Sequence, residues 1–199
     1  TGYSAGALSV SVNGSVTVTN TANKAAVTGS YRVGGFIGFV EDLEQPTVIS
    51  FEDCVNDGNV TGSKYSVGGF VGHISSNTNM TMTISNSINN GNTTGSDDYV
   101  GGFIGGIQFS NKNLNMTVSS FKNNGIVTSN GKYVGGFGGI IQITDDTAIA
   151  ISSFTNNGDV TGNSSYVGGF AGYINSNTKV IKTLSDVTNN GIITGCYYV

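Results

Sequence analysis

Clusters of neighbouring carboxylates are the residues best suited to chemistry in this chain: Glu41, Asp42 and Glu44; Glu52 and Asp53; Asp97 and Asp98; Asp145 and Asp146. Acid–base cleavage of a polysaccharide needs two carboxylates converging on one substrate. Adjacent residues of a strand point to opposite faces, and in loops such pairs read as solvated charge. Hard oxygen ligands for calcium are present, but no loop motif around them recurs. His73 is the only histidine, which excludes a histidine-rich metal centre or a triad, and it is expected at the surface. The sequence therefore leads us to expect no catalytic residue, no metal site and no cofactor.

The remaining reactive groups are two cysteines and the asparagines. Cys54 and Cys196 fall at different phases of a repeat described below. Stacked coils would hold them ~15–20 Å apart at ~4.8 Å per coil, too far for a disulfide. Free thiols are expected, with an intermolecular bond as the alternative. Asn-x-Ser/Thr sequons occur at Asn13, Asn59, Asn79, Asn92, Asn115 and Asn163. They are acceptors if the chain is secreted by a eukaryote. With 24 Asn and 45 Ser/Thr in the chain, chance alone yields such a set. Only Asn59 and Asn92 share a repeat position. Thr-x-Thr occurs at Thr17/Thr19 and Thr81/Thr83, not on every coil as an ice-binding face requires.

What positions these residues is a repeat. Val-Gly-Gly-Phe starts at Val33, Val67, Val100, Val134 and Val167, spaced 34, 33, 34 and 33 residues apart, each copy behind a tyrosine. An Asn/Asp-Gly pair ends on Gly58, Gly91, Gly125, Gly158 and Gly191 with the same beat. Such a period marks stacked copies of one small unit. Residues 1–199 read as one β-solenoid domain, with a degenerate coil 1–30 and repeats 31–64, 65–98, 99–132, 133–165 and 166–199. The fold class predicted is all-β, a parallel β-helix or β-solenoid of about six coils with 33–34 residues per coil.

Each unit contains three strand-like pieces: Tyr-Val-Gly-Gly-Phe-x-Gly, an alternating run such as Thr81–Ile84 or Ala148–Ile151, and a short Asn-Val-Thr-Gly piece. Period-two alternation and β-branched residues argue strand. Three phases stay apolar: Phe36, Phe70, Phe103, Phe137, Phe170; Phe51, Ile84, Val118, Ile151, Leu184; and Val60, Thr94, Val127, Val160, Ile193, with Thr94 the exception. In-register stacking would turn them into core ladders on three walls. The Gly-Gly pair reads as a corner. The position after Phe varies from Ile37 to Gly138 and reads as less constrained. The Asn-Gly turn suits positive φ, and its asparagines could bond between coils. Val12-Asn13-Gly14-Ser15 has a hairpin signature, so the first two strands either pair as a hairpin or arc to separate sheets; the arc is favoured.

Only 10% of residues are charged, against ~25% in an average domain, and Asn, Ser and Thr take their place. With eight basic residues and a net charge of -4, nucleic acid is not an expected partner. No apolar run is long enough for a membrane span. The first residue is Thr1 and no signal peptide is visible, which reads as a processed chain or a fragment.

The unit resembles the GLUG-type repeats of microbial secreted and surface proteins. Their Val-Gly-Gly-Leu-Val-Gly core, Thr-Ile-Ser-Asn segment and Gly-Asn-Val-Thr-Gly stretch correspond to Val67–Gly72, Thr83–Asn86 and Gly58–Gly62. The likeness covers five of six units and departs in using Phe for Leu and in a longer coil. It implies an extracellular β-solenoid stalk or adhesin whose repeats carry no catalytic residues. The function expected is an extracellular or cell-surface structural protein: a stalk, an adhesin segment or a head-to-tail filament subunit. Its partners would be adjacent repeats, further copies of itself, surface glycans or other proteins. A carbohydrate-binding module using Tyr and Asn is the alternative, and a polysaccharide-active enzyme ranks below it.

Overall fold

The computed structural model describes residues 4–42, 46–76, 78–109, 114–143, 147–176, 180–197 and 199. Among them every strand pairing is parallel, and the register step between partners is one repeat. The molecule is a β-solenoid of six coils, and no helix occurs among the described residues.

Each coil crosses four sheets in turn. The first sheet stacks Ala5–Gly6, Val33–Gly34, Val67–Gly68, Val100–Gly101, Val134–Gly135 and Val167–Gly168. The second stacks Ser9–Asn13, Ile37–Asp42, Val71–Ser76, Ile104–Phe109, Gly138–Ile143 and Ala171–Ser176. The third is built on Val16–Thr19, Thr47–Glu52, Met80–Asn89, Leu114–Asn123, Thr147–Asn156 and Val180–Leu184, with Ala22–Asn23, Val55–Asn56 and Val187–Asn189 extending it. The fourth stacks Val27–Gly29, Val60–Gly62, Thr93–Gly95, Val127–Ser129, Val160–Gly162 and Ile193–Thr194. The expectation of three pieces is therefore corrected to four. The chain bends at the second Gly and the Phe of each Val-Gly-Gly-Phe, which splits the first piece between two sheets.

The strands before and after Asn13-Gly14 do not pair with each other. Ser9–Asn13 pairs with Ile37–Asp42, and Val16–Thr19 with Thr47–Glu52. The arc holds, because parallel stacking satisfies every coil's backbone through its neighbours. Gly14 still takes a left-handed turn, at φ 105.

Two cores fill the solenoid. The larger lies between the second and third sheets. Its spine is the first predicted ladder, with ring centroids 4.8 Å apart for Phe36–Phe70, 5.1 Å for Phe70–Phe103 and 5.2 Å for Phe103–Phe137. Phe121 and Phe154 pack edge-on against that spine, from 5.0 Å for Phe103–Phe121 to 5.8 Å for Phe137–Phe154. The smaller core joins the valines of the first and fourth sheets. Its ladder runs through Val60, Thr93 and Val127. Thr93, not Thr94, faces inward, because it stands two residues before Gly95 as Val60 does before Gly62. The position after Phe is also corrected: Ile37, Val71 and Ile104 are fully buried. At Gly138 a Cβ would meet Ile104 and Ile141 carbons at 3.5 and 3.6 Å, an ordinary contact distance.

The Asn-Gly turns do not use positive φ; Gly14 is the only described glycine that does. Their glycines serve close approach instead, since a Cβ on Gly91 would overlap the Gly58 carbonyl of the previous coil. The asparagines form the expected ladder: Asn23 Nδ2 donates to Asn56 Oδ1, Asn56 to Asn89, Asn89 to Asn123, Asn123 to Asn156 and Asn156 to Asn189, each at 2.8 Å. A second, exposed ladder runs through Asp57, Asn90, Asn124, Asn157 and Asn190.

Candidate functional site: an outer cleft between two tyrosines

The outer corner between the fourth and second sheets carries a column of tyrosines. Tyr99, Tyr133 and Tyr166 stand at φ 68, 62 and 65, with Arg32 and Ser66 in the same left-handed position of earlier coils. A non-glycine residue pays strain for that region. Here it turns the chain onto the Val-Gly strand and aims the side chain outward. In the first two full repeats the tyrosine sits one residue earlier, as Tyr31-Arg32-Val33 and Tyr65-Ser66-Val67, whereas Tyr99 directly precedes Val100.

That shift opens the column. Centroids are 4.8 Å apart for Tyr31–Tyr65, 5.5 Å for Tyr99–Tyr133 and 5.0 Å for Tyr133–Tyr166. Between Tyr65 and Tyr99 the step widens to 6.4 Å, with the rings edge to face. Beneath the column, on the outer side of the second sheet, stand Phe39, His73, Gly106, Ile140 and Tyr173 in register. Gly106 leaves that row one side chain short, and His73 leans over it: a Cβ there would lie 2.8 Å from His73 Nδ1. Tyrosine shift and missing side chain coincide, and a cleft of about 380 Å³ lies on these coils. Tyr65, Tyr99, His73 and Gln108 line it, with Arg32, Asp97 and Asp98.

His73 is only 4% exposed, which corrects the surface position expected for it. The Tyr-bearing turns of neighbouring coils cover it, and nothing in its local sequence signals that. Its Nδ1 shares a 2.9 Å hydrogen bond with the buried Ser66 hydroxyl. Burial, and secondarily the Arg32 charge, lower its pKa from 6.5 to about 4, against a hydrogen bond with Gln108. The ring is therefore neutral at pH 7. The Arg32 guanidinium lies 3.9 Å from the Phe39 centroid, a cation–π contact, and its Nε is buried without a hydrogen-bond partner. Burial, with the Asp98 carboxylate adding to it, raises the Tyr99 phenol pKa.

The acidic pair is held by the next coil. Asp98 Oδ1 accepts from the Lys132 amide at 2.6 Å, Asp97 Oδ1 accepts from the Asp98 amide at 2.9 Å, and the Ser129 hydroxyl donates to the Asp97 carbonyl at 2.6 Å. Among the described carboxylates of the four clusters, Asp97 and Asp98 line the cleft. Glu41, Glu52 and Asp53 are exposed elsewhere. The Asp42 side chain, Glu44, Asp145 and Asp146 lie outside the described residues.

The other singled-out residues do not gather. Cys54 is buried and Cys196 exposed, both free. Asn59, Asn79, Asn92, Asn115 and Asn163 are exposed, and the Asn13 side chain is outside the described set. Asn59 and Asn92 do share a position: each Oδ1 accepts a backbone N–H of the next coil, Asn92 or Ile126, at 2.9 Å. Sequence reasoning missed a threonine on every coil: Thr28, Thr61, Thr94, Thr128, Thr161 and Thr194 stack in register on the fourth sheet. The columns beside it are mixed, running for example through Asn92, Ile126 and Asp159, so it remains a single file. Comparison of the chain with family models, with curated proteins and with solved structures finds no match in any of the three.

Proposed function

We propose that this chain is a structural β-solenoid segment of an extracellular or surface protein, used as a stalk, an adhesin segment or a head-to-tail filament subunit. One observation carries the reading. The core ladders run in register from coil to coil, and each coil buries its apolar side chains against its neighbours: Ile151 and Phe154 are fully buried between the strands before and after them. Coil-on-coil stacking of this kind, within one polypeptide or between copies, covers apolar surface at ~25 cal/mol per Å² and continues the four sheets. The sparsely charged chain, rich in Asn, Ser and Thr, and the likeness of the repeat motifs to GLUG-type units support the extracellular setting. The reading assigns the chain no catalytic activity.

Light scattering on residues 1–199 across a wide concentration range tests it. Mass that rises with concentration, and falls back in Leu184→Lys, is expected. A chain that stays monomeric throughout, with both end coils protected from hydrogen exchange, would show self-capped ends and overturn the filament reading.

A further inference from the structure

We propose that the cleft lined by Tyr65 and Tyr99 is a binding site for a neutral saccharide unit. The cleft is a departure from the repeat rather than a consequence of it. A regular array would carry the tyrosine at one position throughout and a side chain at 106; here both irregularities fall on the same pair of coils. Its volume of about 380 Å³ lies at the small end of ligand pockets, ~300–1,000 Å³. That leaves room for a mono- or disaccharide.

The chemistry of the walls selects the ligand. Tyrosine rings beside polar groups suit a pyranose, which presents a C–H face to an aromatic ring and hydroxyls at its rim. Asp97 and Asp98 accept hydrogen bonds, the Arg32 guanidinium donates, and the Gln108 amide does both. Vicinal hydroxyls need this mixture. Two carboxylates against one guanidinium, with His73 neutral, leave a net charge near -1. That disfavours phosphates and uronates, and Arg32 disfavours a compact cation. An uncharged polyol meets neither penalty. The hydrogen bonds from the Lys132 and Asp98 amides hold the acidic pair before any ligand arrives, which lowers the ordering cost of binding.

The site does not depend on end-to-end stacking, so it stands or falls separately from the filament reading. The experiment titrates cellobiose, chitobiose, mannobiose and galactobiose into the chain. Binding is read by saturation-transfer NMR and by tyrosine fluorescence, usable because the chain has no Trp. At least one disaccharide is expected to bind with a dissociation constant on the order of 1 mM. Tyr99→Ala removes an aromatic wall of the cleft; it should weaken binding at least tenfold. Asp97→Ala, at an exposed position, should weaken binding with the melting temperature little changed. Absence of saturation transfer from all four sugars would overturn the proposal. So would binding left intact in both variants, or a preference for tetramethylammonium over every sugar.

Discussion

His73 and Thr93 each bury a polar group at a cost in stability. The unfolded His73 imidazole titrates near 6.5 and the folded one near 4. Between those values the unfolded chain binds a proton that the folded chain refuses. Stability is therefore full above pH 6.5, falls as pH drops through that window and levels off below 4. At ~1.4 kcal/mol per tenfold change in proton affinity the loss amounts to about 3 kcal/mol. Urea melts at pH 7.5 and 4.5 should show this loss in the wild type and a smaller one in His73→Phe, which copies Phe39 of the previous coil. Equal losses in both proteins would contradict it. Thr93 hides a hydroxyl with no partner in a column otherwise made of valines and Ile193. Thr93→Val keeps the shape and removes the stranded group, which should stabilise by ~1–2 kcal/mol and raise the melting temperature by ~2–4 °C per kcal/mol. A lower melting temperature would show that the hydroxyl has a partner in solution.

At the level of the elements, the two sequence markers with one beat prove to be a single device. The second glycine of each Val-Gly-Gly faces the asparagine ladder of its own coil. A Cβ on Gly102 would lie 2.6 Å from Asn123 Oδ1, and one on Gly136 would lie 2.7 Å from Asn156 Oδ1 while overlapping the Gly169 carbonyl. The corner is glycine because a buried amide and the next coil's backbone occupy the space of a side chain. Gly136→Ala is thus expected to cost at least ~3 kcal/mol. Gly138, two residues on, has its nearest neighbour at an ordinary 3.5 Å and no positive φ. Gly138→Ala should be neutral or stabilise by ~0.4–1 kcal/mol through the unfolded chain. Chemical denaturation of the pair would discriminate, and equal effects would refute the interlock.

The whole molecule is a stack in which each coil touches mainly its neighbours, so its stability is close to a sum of coil and interface terms. Inner coils have two interfaces and the last described coil has one. Hydrogen exchange should accordingly protect the amides of Val100, Phe103 and Val118 far longer than those of Val187 and Ile193. Uniform protection from end to end would mean that the array unfolds as one unit or that the last coil is covered by another copy. Scattering at the same concentration separates those two outcomes.

Sequence alone determined the period, the parallel stacking, the phenylalanine spine and the asparagine ladder. Those features repeat, and side-chain alternation along a strand is local, so like residues at like phase must meet. The inward place of Thr93 was also legible, by counting back from Gly95. The rest was decided by contacts about one repeat apart that differ from coil to coil. His73 is buried because tyrosine-bearing turns fold over it and because residue 106, on the neighbouring strand, is glycine. Gly91 is glycine for the Gly58 carbonyl, not for its own turn. The cleft lies on the pair of coils where the tyrosine shifts by one residue, from Tyr65 to Tyr99. A repeat announces what every coil shares; a site made where neighbouring coils differ takes shape only when the coils are stacked.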